Sequence, residues 1–535
     1  MRPFLPHSMM RWLMVALFGL LAGGAAHAIT PEDAMALVAG DSDGRIAAIN
    51  RLSAQPDEKA GALIRALADE SVRIQGERVI IVEGDAGKDA VTGEPVVVDE
   101  YAEEPMLNNR LRGALDFALA GMELAGGDSQ RQREAALILQ RGSFDEPDAE
   151  QLPVIEKALA GELDDEARQT LELAQAAVQL ASEDVTTRLE AARKLGEARK
   201  AIVRPLLMQR LETESDPAVK AALKSSLAGL ERSLAISSAL GEAFTGISLG
   251  SILLLAALGL AITYGLMGVI NMAHGELIMI GAYATWLVQS FFKNSLPGLF
   301  DWYLLAAVPV AFLASALVGA VMERSVIRFL YGRPLETLLA TWGISLVLMQ
   351  GVRSLFGAQN VGVENPSWMS GSLLLMGNLS LPWNRIIIVG FALVVLLGVS
   401  LLIGKTRLGL FVRGVTQNRP IASCMGVNTA RIDTYAFALG SGIAGLAGCA
   451  LSQIGNVGPD LGQSYIVDSF MVVVLGGVGQ LAGTVYAALG LGILNKLLEG
   501  WAGAVLAKIA VLVFIIVFIQ KRPQGIFAMK GREVT

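Results

Sequence analysis

Phe244–Tyr264 reads FTGISLGSILLLAALGLAITY, an apolar run without a single charged side chain. A run of about 20 such residues is what an α-helix needs to cross the hydrocarbon core of a bilayer. Working outward from it, apolar segments recur at about 275–292, 303–322, 337–356, 385–404, 433–452, 465–480, 484–499 and 503–520. The expectation is a polytopic all-α bundle of about eight to ten spans. The pair after 465 is short and glycine-interrupted, so two helices and one broken, partly re-entrant helix both fit.

Ahead of Phe244 the composition is of another kind, rich in Glu, Asp, Arg and Gln, so the overall hydrophobic content of 53% averages two unlike parts. The formal net charge of −7 lies mostly in this front part and argues against nucleic acid as a partner. Residues 1–28 have the marks of a secretory signal: Arg2 and Arg11, an apolar core from Leu13 to Leu21, and Ala26-His27-Ala28 as a small-x-small cleavage site. Residues 29–235 show short helical periods separated by turn signals such as Gly161 and Ser215-Asp216-Pro217. That spacing suggests a HEAT-like α-solenoid, with an irregular helical bundle as the alternative. Arg78–Val82 and Pro95–Val98 are β-type runs around a Gly- and Asp-rich stretch and predict one β-hairpin. The domain reading is therefore a signal peptide over 1–28, an exported helical domain over 29–235 and a membrane domain over 236–535.

Orientation follows from Lys and Arg. The loops after the third and fifth spans carry Arg324, Arg328, Arg333, Lys405, Arg407, Arg413, Arg419 and Arg431, and the tail carries Lys521, Arg522, Lys530 and Arg532. Alternate loops hold only Lys293, Arg353, Arg385 and Lys496. The rich set is expected in the cytoplasm, which places the front domain outside an inner (plasma) membrane, as a signal peptide also requires.

Several function classes fall away on counts. Of three histidines, His7 and His27 lie in the predicted signal, which leaves His274 alone; the two cysteines, Cys424 and Cys449, both lie in the membrane part. Neither a zinc site nor a Ser-His-Asp triad is built from that inventory, so no catalytic residue, metal or cofactor is expected. Nucleotide motifs fail on context. Gly404-Lys405-Thr406 lacks the first P-loop glycine, since Val399 stands there, and it ends a span. Gly440–Gly445 spells GxGxxG inside a membrane helix with no strand before it. Gly84–Lys88 lacks the Ser or Thr that would hold magnesium.

The glycines suit helix packing: Ser441 and Gly445, Ala444 and Gly448, and Gly476-Gly477 place small residues where a neighbouring helix approaches closely. Intramembrane polar residues are costly and mark paths or structural hydrogen bonds. Asn271, His274 and Glu276 form one such group, expected near the cytoplasmic side. Gln350, Asn456 and Asp468 are further candidates, Asp468 near the outer end of the seventh span. The long loop Arg413–Arg431, RGVTQNRPIASCMGVNTAR, combines charge with an apolar face and a Gly426 stop. It suits a short helix that docks on a separate ATPase, with Arg413, Gln417, Asn418, Ala422, Met425 and Gly426 as its candidate residues.

That loop, with Phe437–Gly448 after it, resembles the branched-chain amino-acid type of ABC permease. The resemblance continues in Gly268–Glu276 (GVINMAHGE), in Val474–Gly479 (VLGGVG) and in the ending Arg522–Phe527 (RPQGIF), and so covers most of 244–530. Gly414 and Gln480-Leu481-Ala482 depart from its usual residues. Within the family, Gln453–Gln463 (QIGNVGPDLGQ) and the long front domain are similar to urea-transporting members. The resemblance implies a second permease chain as heterodimer partner, two ATPase chains, an external (periplasmic) solute-binding protein, and a small neutral solute, urea above all, with branched-chain amino acids or amides as the alternative. A path for a neutral solute should present amide and backbone groups and no fixed ion partner. An autonomous urea channel or secondary transporter is the reading of another class; it has no need of an ATPase-docking loop.

Overall fold

The computed structural model describes residues 29–54, 57–84, 86–99, 101–124, 128–375 and 378–527. The predicted signal segment lies outside them. The chain divides into two compact units, with the boundary between Leu234 and Ala235.

The first unit opens with α1 (Pro31–Val38), α2 (Ser42–Ser53) and α3 (Glu58–Ala68). Each begins on a polar cap: Thr30 forms a reciprocal capping box with Asp33, and Asp41 and Asp57 accept from first-turn backbone N–H groups. A four-stranded antiparallel meander follows, β1 (Val72–Gln75), β2 (Arg78–Glu83), β3 (Ala86–Asp89) and β4 (Pro95–Val96), in the order β1-β2-β3-β4. The two β-type runs therefore do not pair with each other as the predicted hairpin has it. Ala86–Asp89 lies between them, with Ile80 opposite Asp89 and Lys88 opposite Pro95. Its sequence AGKD has none of the side chains that favour strands, and pairing on both sides holds it extended.

Helices α4 (Asn109–Glu123), α5 (Ser129–Asp145), α6 (Leu152–Leu159), α7 (Asp165–Gln179), α8 (Val185–Ala198) and α9 (Arg204–Thr213) complete this unit with the first turns of α10 (Pro217–Met267). Three buried clusters follow one another along the chain. The first joins α1–α4, the second α4–α7 and the third α7–α10, so each hands a helix to the next. Leu171 and Ala174 of α7 face the second cluster, Leu173 and Ala177 the third. A helix buried on two faces in this way is what a stack of helical layers requires.

In the second unit α10 continues, followed by α11 (His274–Ser295), α12 (Tyr303–Ser325), α13 (Pro334–Phe356), a hairpin of β5 (Ser372–Leu375) and β6 (Leu379–Pro382), and α14 (Trp383–Lys405). Two short helices, α15 (Arg407–Gln417) and α16 (Arg419–Cys424), lead into α17 (Thr429–Ser452), α18 (Leu461–Gly476), α19 (Leu481–Ala502) and α20 (Ala504–Lys521). A helix thus occupies each of the nine expected positions, and seven of them have the length and apolarity of a membrane crossing. Between Leu461 and Ala502 the chain forms two helices, displaced by a few residues from the expected segments. The break falls at Gly477–Gln480, where Gly477 (φ +97°) and Gly479 (φ +79°) take left-handed backbone that a side chain disfavours. The β5–β6 hairpin has no counterpart among the sequence expectations; its exposed Ser-Leu-Leu-Leu strand reads equally well as part of an apolar helix.

Candidate functional site

Helices α11, α12 and α17 meet through glycines and hydroxyls, because these residues let backbones come together. A methyl group added at Gly448 would strike the carbonyl oxygen of Ile278 in α11, and one at Gly445 would lie 2.5 Å from the Ala311 carbonyl in α12. Fully buried Ser441 faces Gly319. Gly476 faces Gly483 across the α18–α19 break, and Gly477 lies against the Phe527 carbonyl. Ser441, Gly445, Gly448, Gly476 and Gly477 each lie at a close approach of this kind.

The group Asn271, His274 and Glu276 is buried, and deeper than the sequence suggested. His274 Nε2 is 2.9 Å from the Ala256 carbonyl, well inside α10. Gly259, one turn further along α10, touches both His274 and Gly440, and Gly440 stands midway along the 24 residues of α17. So α11 begins at half depth: after Gly268 (φ +68°) the chain turns back between the helices before α11 starts. Helix α18 begins beside it. Gly275 and Gly462 touch backbone to backbone, with a methyl group at 275 falling 2.8 Å from the Gly462 carbonyl carbon. Around this crossing Ser345 of α13 donates to Glu276 at 2.8 Å, and Met272 N–H donates to Thr341 Oγ1 at 3.1 Å. Asn271 Oδ1 accepts from Ala273 N–H at 3.0 Å. Asn271 Nδ2, His274 Nδ1 and Glu276 Oε2 have no hydrogen-bond partner.

The other path candidates scatter. Gln350 is exposed on α13, and Asn456 is exposed in the segment between α17 and α18. Asp468 stands halfway along α18, not at its end, and its carboxylate lies 3.7 Å from Lys508 Nζ of α20. The pair lines a cavity of about 240 Å³ shared by α10, α18, α19 and α20. Lys508 is absent from the sequence-level candidates although the signal was there: a lone ammonium inside an otherwise apolar span.

The predicted docking segment forms an elbow of two helices. Asn418 caps α16 by accepting from Ile421 N–H at 3.1 Å, Gly426 (φ +83°) ends it, and Ala422 is buried against Val412, Val415, Ile432 and Ala436. Ile421, Met425 and Gln417 are exposed. Arg413 folds back onto the Gly409 and Ile403 carbonyls, both at 3.3 Å, and so serves the elbow's own shape. Arg419, outside the predicted set, makes the longer connection: it pairs with Asp433 of α17 and lies 4.8 Å from the centre of the Tyr331 ring. Tyr331 donates to Glu323 of α12 at 3.1 Å. Burial pushes the Tyr331 phenol up, which keeps it a donor. Among the described residues no group of three His, Cys, Asp or Glu side chains is placed to hold a metal. Cys424 is exposed on α16 and Cys449 is buried in α17.

Comparison with known proteins adds identity to this geometry. The permease protein LivH of the high-affinity branched-chain amino acid transport system of Salmonella typhimurium is 27% identical over 297 residues, 54% of this chain and 94% of that protein. BraD of Pseudomonas aeruginosa, described in the same terms, is 26% identical over 293 residues, 54% of this chain and 95% of its own. The ribose import permease RbsC of Escherichia coli is 28% identical over 202 residues, 36% of this chain and 60% of that protein. No solved structure matches. Residues 243–520 match the family described as branched-chain amino acid transport system / permease component, and the chain belongs to that family of ABC-transporter permease subunits.

Proposed function

We propose that this chain forms, with a second permease chain, the membrane path of an importer driven by two ATPase chains and fed by an external solute-binding protein. The observation that carries this reading is the α15–α16 elbow. Ile421 and Met425 present an apolar face outward, while Arg419 ties the same helix to α17 and, through Tyr331, to α12. A helix exposed on one side and fastened to two membrane helices on the other suits an ATPase-docking element. Uptake in membranes with and without ATP, the ATPase chains and the binding protein tests the reading; uptake by this chain alone overturns it. In this reading the elbow faces the cytoplasm and the unit before Ala235 lies outside, where its stacked helices offer a surface for the binding protein.

Of the solutes, the relatives favour branched-chain amino acids, the transport named for LivH and BraD. The Asp468–Lys508 pair supports the same choice, since a fixed anion and cation match a zwitterionic head more strongly than the uncharged amide groups of urea. Urea is the second reading. It rests on the likeness of Gln453–Gln463 to urea-transporting members and on the helical unit that lies outside the matched residues. Competition between labelled leucine and unlabelled urea in the same uptake assay separates the two.

A further inference from the structure

We propose that the Asp468–Lys508 cavity is a holding station for the polar head of the transported solute, with Asp468 accepting its N–H groups and Lys508 donating to its oxygen. The inference rests on the importer reading and names the chemistry of one place within it. Three observations lead there.

The first is room. At about 240 Å³ the cavity has space on the order of eight water molecules of ~30 Å³ each, the scale of a small metabolite.

The second is the lining. Gln463, Ser464, Asp468, Asn495 and Lys508 contribute polar groups from three helices. Leu253, Leu491 and Val511 supply aliphatic lining between them. A few converging polar groups in an otherwise apolar hollow is the usual make-up of a small-molecule site.

The third is the pair itself. Lys508 Nζ and Asp468 Oδ2 stand 3.7 Å apart, beyond the roughly 3.2 Å limit of a good hydrogen bond. Charges on helices this apolar are expensive against lipid, so they belong on a wetted path or against a partner chain. A loosely held pair leaves each charge with unused hydrogen-bonding capacity. A solute head bearing both N–H donors and an oxygen acceptor supplies what each lacks. The ammonium and carboxylate of an amino acid do so, and so do the amide N–H groups and carbonyl of urea.

The test uses the full-length chain in membranes with its partner subunits. Ser464→Cys is made in a chain whose exposed Cys424 is replaced by Ser, and labelling by a small maleimide is followed with leucine or with urea present. Slower labelling with leucine alone assigns the amino-acid source, and slower labelling with urea alone the amide source. Labelling unaffected by either overturns the proposal. In the uptake assay Asp468→Asn and Lys508→Met should each raise the half-saturating concentration about tenfold or more. The exchange Asp468→Lys/Lys508→Asp should keep normal membrane levels and so report on folding. ATP-dependent uptake with unchanged half-saturation in both single variants sinks the station and leaves the importer reading standing. Protection that requires Asp468 and Lys508, in a chain whose uptake needs no ATP, sinks the importer reading and leaves the station.

Discussion

The hydroxyl of Thr434 in α17 donates a 2.6 Å hydrogen bond to the carboxylate of Glu323 in α12, and both side chains are buried. The other oxygen of Glu323 accepts from Tyr331. A buried carboxylate with each oxygen satisfied holds two long helices in register; one that loses a donor is costly. Thr434→Val should therefore lower stability by about 1–3 kcal/mol. Thr434→Ser, which keeps the donor, should unfold close to wild type. Thermal unfolding of the full chain in detergent reads the difference.

Arg419 faces Asp433, which is buried, and the ring of Tyr331. Arg419→Ala should leave the ATPase chains bound but lower the solute moved per ATP hydrolysed by on the order of tenfold, because Asp433 is left without its partner cation. Parallel uptake and hydrolysis assays in reconstituted vesicles measure that ratio; an unchanged ratio removes Arg419 from the coupling. Met425→Glu acts on the exposed face instead and should prevent the ATPases from binding at all.

Gly448 and Gly343 offer a contrast within one fold. A methyl group at 448 meets the Ile278 carbonyl, whereas at 343 it meets nothing within 4 Å. Gly448→Ala should push α11 from α17, cost about 1–3 kcal/mol and reduce the yield of folded protein. Gly343→Ala should be neutral or stabilising by up to about 1 kcal/mol, from helix propensity. Melting temperatures of the two variants decide between packing and simple propensity.

In the first unit Glu214 is almost wholly buried and bonded to Arg188 at 3.0 Å and Arg210 at 3.1 Å. Burial alone raises its carboxyl, but the Asp216 backbone N–H and the two guanidinium groups outweigh it and hold the value at about 2. A carboxyl depressed below its unfolded value stabilises the folded chain above that unfolded value, and the contribution is lost as pH falls through the folded one. Stability around α8 and α9 should therefore decline between about pH 4.5 and pH 2, by on the order of 3 kcal/mol. Hydrogen-exchange protection of peptides covering 182–216 in the full chain should show this decline, and Glu214→Gln should remove the pH dependence while lowering protection at neutral pH.

Much of this was legible because the bilayer imposes few solutions. Apolar length marks a membrane helix directly, so every span position from Phe244 onward holds a helix, and the stacked helices before it announce themselves through period and caps. What escaped was set by tertiary contact. Ala86–Asp89 is a strand only because β2 and β4 flank it. The half-depth start of α11 depends on His274 meeting Ala256 and Gly275 meeting Gly462, pairings no local pattern encodes. The polar residues divided along the same line. Glu276, Asp468 and Lys508 are each conspicuous in apolar surroundings, while the pairings Glu276–Ser345 and Asp468–Lys508 join helices distant in sequence.

The short helix α18 carries a lesson for biogenesis. Sixteen residues rise about 24 Å, less than the roughly 30 Å of a bilayer's hydrocarbon core. Its first turn lies against Gly275 of α11, deep within the bundle. A translocation machine that hands helices to lipid one at a time would strand that end among acyl chains with its backbone N–H groups unmet. A helix this short finds its backbone partners in the bundle, beside α11, and not in lipid, so its placement is expected to depend on α11 being there to receive it.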